Sequence, residues 1–299
     1  MTLPIAQSLM TEPARLATVS LFGLLGLVLW LRAWRWVSGS TLAAAWAWIG
    51  VTLAAQIAAG LADDSSQSAW GYLAAITVFG PTMAVLGAKR PQHRAWQFVV
   101  LVLLVVLAMP GLEALVFARR AVEVHGLHAS LMALLIAIGV FNYLPTRFWP
   151  AALCAGAGQA LLLGPYLPGV SALLSAPEPV AALVCEVLAA VMVAGLRQWT
   201  SGASQPIDRL WTDFRNSLGA IWALRVQERF NVAARQHAWP VRLEWSGLQT
   251  VDQASDPAQA GSAVADARDS AARRQAVAER TLRMLLHRFV SESWNQRRL

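Results

Sequence analysis

Long apolar stretches separated by short polar segments occupy the first two-thirds of the chain. A membrane-spanning helix needs about 20 mostly apolar residues, and seven stretches have nearly this length, some of them broken by Gly or Pro. The predicted spans are 16–36, 41–62, 70–88, 95–117, 127–145, 149–166 and 179–197. Tryptophans stand at many of the predicted span ends, as expected of an interfacial aromatic belt. The pattern predicts an all-α polytopic transmembrane helix bundle over residues 1–199, with about seven spans.

The pattern changes after residue 200, where apolar residues recur at helical spacing among many charged ones. This spacing predicts amphipathic helices over 206–236 and 271–295, a short strand at 241–245, and a flexible linker over 246–270. The predicted fold is therefore a bundle followed by a C-terminal helical tail, residues 200–299. Two interpretations of the tail helices remain open. They pack on each other or on a partner protein, or they lie on a membrane surface rich in anionic lipid headgroups.

Composition and charge divide the chain at the same place. Hydrophobic residues make up 57% of the chain and charged residues only 14%, whereas soluble domains carry about a quarter charged residues. Residues 1–196 have nine Lys and Arg against seven Asp and Glu, and residues 197–299 have fifteen against ten. The net charge of +7 suggests nucleic acid as a partner, but basic residues beside apolar spans are what membrane topology requires. We therefore expect a lipid bilayer and no nucleic acid.

The basic residues between spans predict the orientation. One set of loops contains Arg32, Arg35, Lys89, Arg90, Arg94 and Arg147, and the basic tail lies on the same side. The opposite side contains Arg15, Arg119 and Arg120. Because Lys and Arg accumulate in cytoplasmic loops, this asymmetry predicts an inner-membrane protein with its N-terminus outside and its C-terminus in the cytoplasm.

Glu186 is the ionisable residue predicted to lie deepest in the bilayer. It lies eleven residues before Arg197, about 16 Å along a helix. A charge at this depth costs at least about 2.5–3.5 kcal/mol, so a partner is expected. Gln159 has a similar depth on the preceding span, and a Glu186–Gln159 hydrogen bond is predicted, with Thr77 and Tyr72 as further candidates. This group is either a proton or cation site or a hydrogen bond that fixes helix packing.

A second polar group is predicted near the outer face and contains Glu113, Glu123, His125 and His128. Carboxylate and imidazole at short spacing are typical of metal sites, but polar residues are also expected at a membrane interface, and the helical metalloprotease pattern is absent. Glu113 with His128 is the one acid–base pair that an enzymatic interpretation offers. The one Lys, Lys89, lies outside the last span, which excludes a retinal Schiff base there. No cofactor or metal is predicted.

Two segments, GAKRPQHRAWQFVVL and WTDFRNSLGAIWALRVQERFN, resemble segments of bacterial multi-span membrane proteins of unknown function. The resemblance covers about a quarter of the chain, implies a bacterial inner-membrane protein, and assigns no activity. The leading hypothesis is a non-enzymatic anchoring or scaffold protein that presents a cytoplasmic helical module to a partner or to the membrane surface. The alternative is a transporter or channel for a small solute, proton or cation that uses Glu186.

Overall fold

The structure, a computed structural model, describes most of the chain and divides it into two compact units, Met1–Trp199 and Thr200–Leu299. The described residues are 11–62, 67–88, 93–117, 122, 124, 126–167, 170, 174, 177–198, 206–250, 263–292 and 294. The predicted residues Glu123 and His125 lie outside them, as do Lys89, Arg90, Arg119 and Arg120.

The described part of the first unit is helical. Its helices are α1 (Glu12–Val37), α2 (Leu42–Leu61), α3 (Gln67–Thr77), α4 (Phe79–Leu86), α5 (His93–Val116), α6 (Gly126–Tyr143), α7 (Trp149–Leu163) and α8 (Pro179–Gln198). Among the described residues, six helical segments are long and apolar enough to cross a membrane: α1, α2, Ser68–Leu86, α5, α6 and α8. The predicted span at 149–166 corresponds to α7, which has 15 residues and is followed by a 3₁₀ turn, Gly164–Tyr166.

A proline explains why the third span consists of two helices. Pro81 has no N–H to donate to the carbonyl of Thr77, four residues earlier. The helix breaks at Val78, and the Thr52 hydroxyl of α2 donates to the Thr77 carbonyl at 2.9 Å. A neighbouring helix thus supplies the hydrogen bond that the proline removes, which is how proline is tolerated in membrane helices.

Pro110 lies inside α5, which continues through it without a break. The hydroxyl of Tyr72, a fully buried residue of α3, donates to the carbonyl of Leu107 at 2.7 Å, next to the proline-perturbed turn. Gly111 permits this approach, because a Cβ at that position would lie 2.7 Å from the Tyr72 ring. The ring of Tyr166 packs edge-on against that of Tyr72, with centroids 4.9 Å apart.

The outer surface of the first unit is apolar. Leu21 and Leu24 of α1 are 64% and 63% exposed, and Phe98 of α5 is 68% exposed. Such extended apolar exposure is unusual for a soluble monomer and suits contact with lipid tails. Trp34 and Trp149 are exposed at helix ends, where amphipathic indoles are expected at a membrane interface.

Indole side chains also join the helices. Trp30 and Trp46 each donate from Nε1 to the other's carbonyl, at 2.9 and 3.2 Å, and so tie α1 to α2. Trp48 of α2 donates to Gln97 Oε1 of α5 at 2.9 Å. These bonds satisfy indole N–H groups inside the bundle, and they fix which helices are neighbours.

The second unit has its own aromatic core. Its elements are α9 (Pro206–Leu218), α10 (Ala220–Gln236), β1 (Val241–Leu243), β2 (Leu248–Thr250) and α11 (Ala263–Leu286). Trp211, Phe214, Phe230 and Trp294 are almost fully buried, and Phe289 packs edge-on against Phe214. The apolar stripe predicted along the first tail helix therefore lies inside this unit.

The antiparallel strands β1 and β2 are held to the helices by side chains. The Asn231 amide of α10 donates to the Leu243 carbonyl at 2.9 Å and accepts from the Leu243 N–H at 2.8 Å. Asp208 of α9 accepts from the Leu248 N–H at 2.8 Å. Gly247, at a positive φ of 148°, leaves the space that the Asp208 carboxylate fills.

The second unit differs in detail from the sequence prediction. The predicted helix 206–236 is two helices, because Gly219 adopts a φ of 80° and its N–H caps α9 at the Arg215 carbonyl, at 2.9 Å. Part of the predicted linker 246–270 forms β2, and α11 begins at Ala263, before the predicted start at 271. The apolar period at these positions is too weak to indicate either element.

Candidate functional site

Glu186 lies in the middle of α8, among the apolar helices of the first unit. Helix α8 packs against α7, α1 and α2. The residue as a whole is half-buried, but its Oε1 atom is buried and has no hydrogen-bond partner. A carboxyl oxygen without a donor in a low-dielectric interior is costly, which makes Glu186 the first residue of the candidate site.

Gln56 of α2 is the second residue of the site. It is fully buried, and its amide lies within interaction range of the Glu186 carboxyl. Neither Nε2 nor Oε1 of Gln56 has a partner in hydrogen-bonding geometry. The two side chains thus bring three unsatisfied polar atoms into one region between α2 and α8. Each unsatisfied buried group costs about 1–3 kcal/mol. Apolar side chains at these two positions would therefore stabilise the helix contact better than Gln56 and Glu186 do.

An aliphatic cluster lies between the helices that carry this pair. Val187, next to Glu186, belongs to a buried cluster with Val19, Val180 and Leu183, and Leu53 and Ile57 of α2 pack against the cluster. No salt bridge of Glu186 occurs within the described part of the chain. Within the described residues, the carboxyl therefore has no protein cation that would neutralise it.

Close packing of α7 brings that helix against the Glu186 side chain. A Cβ at Gly158 of α7 would lie 3.2 Å from the Ala182 carbonyl oxygen and 3.6 Å from Glu186 Cγ. Cys154 Sγ donates to the Cys185 carbonyl at 3.2 Å along the same contact. Small residues thus let the α7 and α8 backbones approach, as they commonly do in membranes.

Gln159, the predicted partner of Glu186, is a half-buried residue of α7. No hydrogen bond joins it to Glu186, although the structure describes both residues. Tyr72 is engaged with Leu107, and the Thr77 hydroxyl donates to the Ala74 carbonyl of its own helix at 2.7 Å. The structure therefore brings Gln56 to Glu186, and it assigns Tyr72 and Thr77 to the two proline sites.

The predicted outer group is described only in part. Glu113 is exposed near the end of α5, and His128 is half-buried near the start of α6. The described residues contain no group of three His, Cys, Asp or Glu side chains that could hold a metal ion. Glu123 and His125 lie outside the described residues. Glu113 and His128, the predicted acid–base pair, are both described, and no hydrogen bond or ion pair joins them.

The positions of Gln56 and Glu186 along their helices place them at a similar depth in the bundle. Gln56 lies five residues before the end of α2 at Leu61, and Glu186 lies seven residues after the start of α8 at Pro179. In antiparallel helices these offsets differ by about 3 Å in depth. Gln56 is also the only Asn, Gln or ionisable residue of α2, which marks it as a candidate partner.

Comparison of the chain with protein-family models, with curated proteins and with solved structures finds no match. The packing and polar contacts of this chain are therefore the basis for assigning its function.

Proposed function

We propose that this chain is an anchoring or scaffold protein of a bacterial inner membrane, whose helix bundle presents a folded C-terminal helical unit in the cytoplasm. The observation that carries the proposal is the buried aromatic core of the second unit, which includes Trp211, Phe214 and Phe230. Seven residues, 199–205, join that unit to α8. A unit with its own core that follows a membrane-spanning helix in the chain suits a protein that presents a binding surface at the membrane.

The proposal includes seven spans, with the N-terminus outside. Helix α7 and its 3₁₀ turn cover residues 149–166, and α7 packs against α3, α6 and α8. A short helix packed among spans accords with a crossing that the neighbouring helices shield from lipid. Exposed Arg32, Arg35 and Arg94 lie in segments that this topology assigns to the cytoplasm.

Loss of a co-purifying partner tests the anchoring role. Deletion of residues 204–299 is expected to abolish partner recovery from membranes, as quantified by cross-linking and mass spectrometry. Leu282→Ala truncates a fully buried side chain of α11, and Leu224→Ala truncates one that is 55% exposed on α10. Leu282→Ala is expected to reduce recovery and Leu224→Ala to preserve it. If the deleted chain recovers the same proteins and supports the same growth as the full chain, the anchoring role is wrong.

A second function, passage of a proton or cation, is favoured by the Gln56–Glu186 pair. A buried carboxyl and a buried amide offer three oxygens to a cation, or a proton site that an amide can complete. Their unsatisfied atoms supply the driving force for such a ligand, since partnering them recovers part of the cost of their burial. Polar residues at this depth commonly mark ion and proton pathways.

Flux through proteoliposomes tests this second function. We expect Glu186→Gln to abolish proton or monovalent-cation flux, because the amide cannot exchange a proton or carry a charge. Glu113→Gln is the matched control, since Glu113 is an exposed glutamate of α5. Absence of flux from the unmodified protein across protons and the alkali cations would reject the second function and leave the first untouched.

A further inference from the structure

The outward face of α11 carries arginines interleaved with apolar side chains. Arg273, Val277, Arg280 and Met284 recur every three or four residues, so they share one side of the helix. All four are exposed, and Val277 and Met284 are 51% and 58% exposed. The core side of the same helix carries the fully buried Ala278, Leu282 and Leu286. Helix α11 therefore has a second apolar stripe, Val277 and Met284, that the described residues of its own unit leave exposed.

The described charged side chains around this stripe are mostly basic. Arg283 and Arg288 are also exposed, and neither they nor Arg273 and Arg280 form a salt bridge with another described residue. Glu279 is the one acidic residue with a described side chain on α11. It is half-buried and lies about a quarter of a turn from Arg280, toward the core side. Guanidinium groups beside isolated apolar side chains match an anionic, partly apolar surface.

The connection between α8 and the second unit is short. Only residues 199–205 separate the end of α8 at Gln198 from the start of α9 at Pro206. The eight Cα–Cα steps from Gln198 to Pro206 span at most about 29 Å when fully extended. The start of the second unit therefore stays within that distance of a membrane-spanning helix, and a weak affinity for lipid is sufficient for docking at such a high effective concentration.

We propose that the Arg273–Met284 face of α11 docks on anionic lipid headgroups, with Val277 and Met284 inserted at the interface and the arginines on the phosphates. The arrangement resembles an interfacial amphipathic helix, in which apolar burial and attraction to anionic lipid act together. Docking would set the height and orientation of the module. The inference rests on the proposed anchoring function, because it requires the second unit to lie on the side where anionic lipid is presented.

A fluorescent probe in the full-length protein tests the docking. In a Cys154→Ala, Cys185→Ala background, an environment-sensitive dye is attached at Met284→Cys. The control carries the dye at Val232→Cys, which is 38% exposed on α10. Both proteins are reconstituted in nanodiscs of pure phosphatidylcholine and in nanodiscs that also contain phosphatidylglycerol. Nanodiscs leave both membrane faces open, so the result does not depend on the orientation of insertion.

The dye at position 284 is expected to be shielded from aqueous iodide in phosphatidylglycerol nanodiscs, and to become accessible in phosphatidylcholine or at high salt. The dye at position 232 is expected to stay accessible throughout. Arg280→Gln should weaken docking by about fivefold, the effect of one basic residue near an anionic surface. Equal access at position 284 in both lipids overturns the proposal, and equal shielding in both lipids also overturns it, because a protein contact then covers the face.

The failure of docking is distinguishable from the failure of the anchoring function. In cells, labelling of Val232→Cys by an impermeant maleimide reports which side of the membrane the second unit occupies. Labelling from outside contradicts the proposed anchoring orientation, whatever the nanodiscs show. Labelling only after lysis, together with equal iodide access in both lipids, rejects docking and leaves the anchoring function standing.

Discussion

The hydroxyl of Thr52 offers a sharp test of how the bundle is held together. Thr52→Val keeps the shape of the side chain but removes the donor to the Thr77 carbonyl, 2.9 Å away. That carbonyl lacks its usual donor four residues later, because Pro81 has no N–H. The same bond fixes the rotation of α2 one turn before Gln56, which lies on the same face. Loss of the bond is therefore expected to loosen the candidate site as well.

The magnitude follows from the available partners. Hydrogen bonds between membrane helices contribute about 0.6 kcal/mol on average and at most about 1.7. Because Thr52 replaces a missing backbone donor, we expect Thr52→Val to lower the free energy of unfolding by about 1.5 kcal/mol, near this upper limit. In a Pro81→Ala background the alanine N–H can reach the Thr77 carbonyl, and Thr52→Val should then cost only about 0.5 kcal/mol.

Steric trapping of the detergent-solubilised protein, with biotin labels near the ends of α1 and α5, measures these free energies in a double-mutant cycle. Thr77→Val is the matched control. Its hydroxyl bonds the Ala74 carbonyl, which Val78 can still serve with a backbone N–H, so the expected change is near zero. If Thr52→Val costs the same with and without the Pro81→Ala substitution, the reasoning is refuted, because the proline would then not be the reason for the bond.

Three further predictions concern other parts of the molecule. Asn231→Ala removes both side-chain bonds to β1 and should lower the stability of the second unit by about 2 kcal/mol in chemical denaturation. Unchanged stability would show that these two hydrogen bonds do not hold β1 to α10. Burial raises the pKa of Glu178 from 4.5 to about 7, so its protonated form is favoured in the folded state. Stability should then fall as pH rises from about 4.5 to 7, and Glu178→Gln should flatten this part of the thermal-melting profile. Gly158→Ala should destabilise the bundle, because the added Cβ would lie 3.2 Å from the Ala182 backbone oxygen. Gly195→Ala is the control, because a Cβ there meets open space. Equal effects in steric trapping would show that α7 and α8 are not tightly packed.

Much of the helical architecture was predictable, because the length and apolar composition of a segment are local properties of the chain. The predicted spans at 41–62, 95–117 and 127–145 correspond closely to α2, α5 and α6. The apolar period from Ile207 to Phe230 coincides with α9 and α10. Its interruption at Gly219 was harder to foresee, since a glycine at a helical position breaks a helix only when it adopts a positive φ, here 80°.

Of the two residues of the candidate site, Glu186 could be predicted from the sequence and Gln56 could not. The depth of Glu186 marks it from the sequence, because a carboxyl in the middle of an apolar span is costly wherever its neighbours lie. Its partner depends on which helices touch and on their rotation about their own axes. Gln159, on the adjacent span, has a suitable depth, but the structure turns Gln56 of α2 toward the carboxyl.

Two features follow from the amino-acid sequence alone: helices apolar enough to cross a membrane, and Glu186 as an exceptional residue among them. Both can be read from the length of an apolar segment and the type of each residue in it. The tertiary structure decided which polar groups meet. It assigned Thr52 and Tyr72 to the backbone near two prolines. It also brought Gln56 close to Glu186, with the Gln56 amide and Glu186 Oε1 outside ideal hydrogen-bonding geometry. Hydrogen bonds need distances within a few tenths of an ångström, and only the packing of whole helices sets distances that finely.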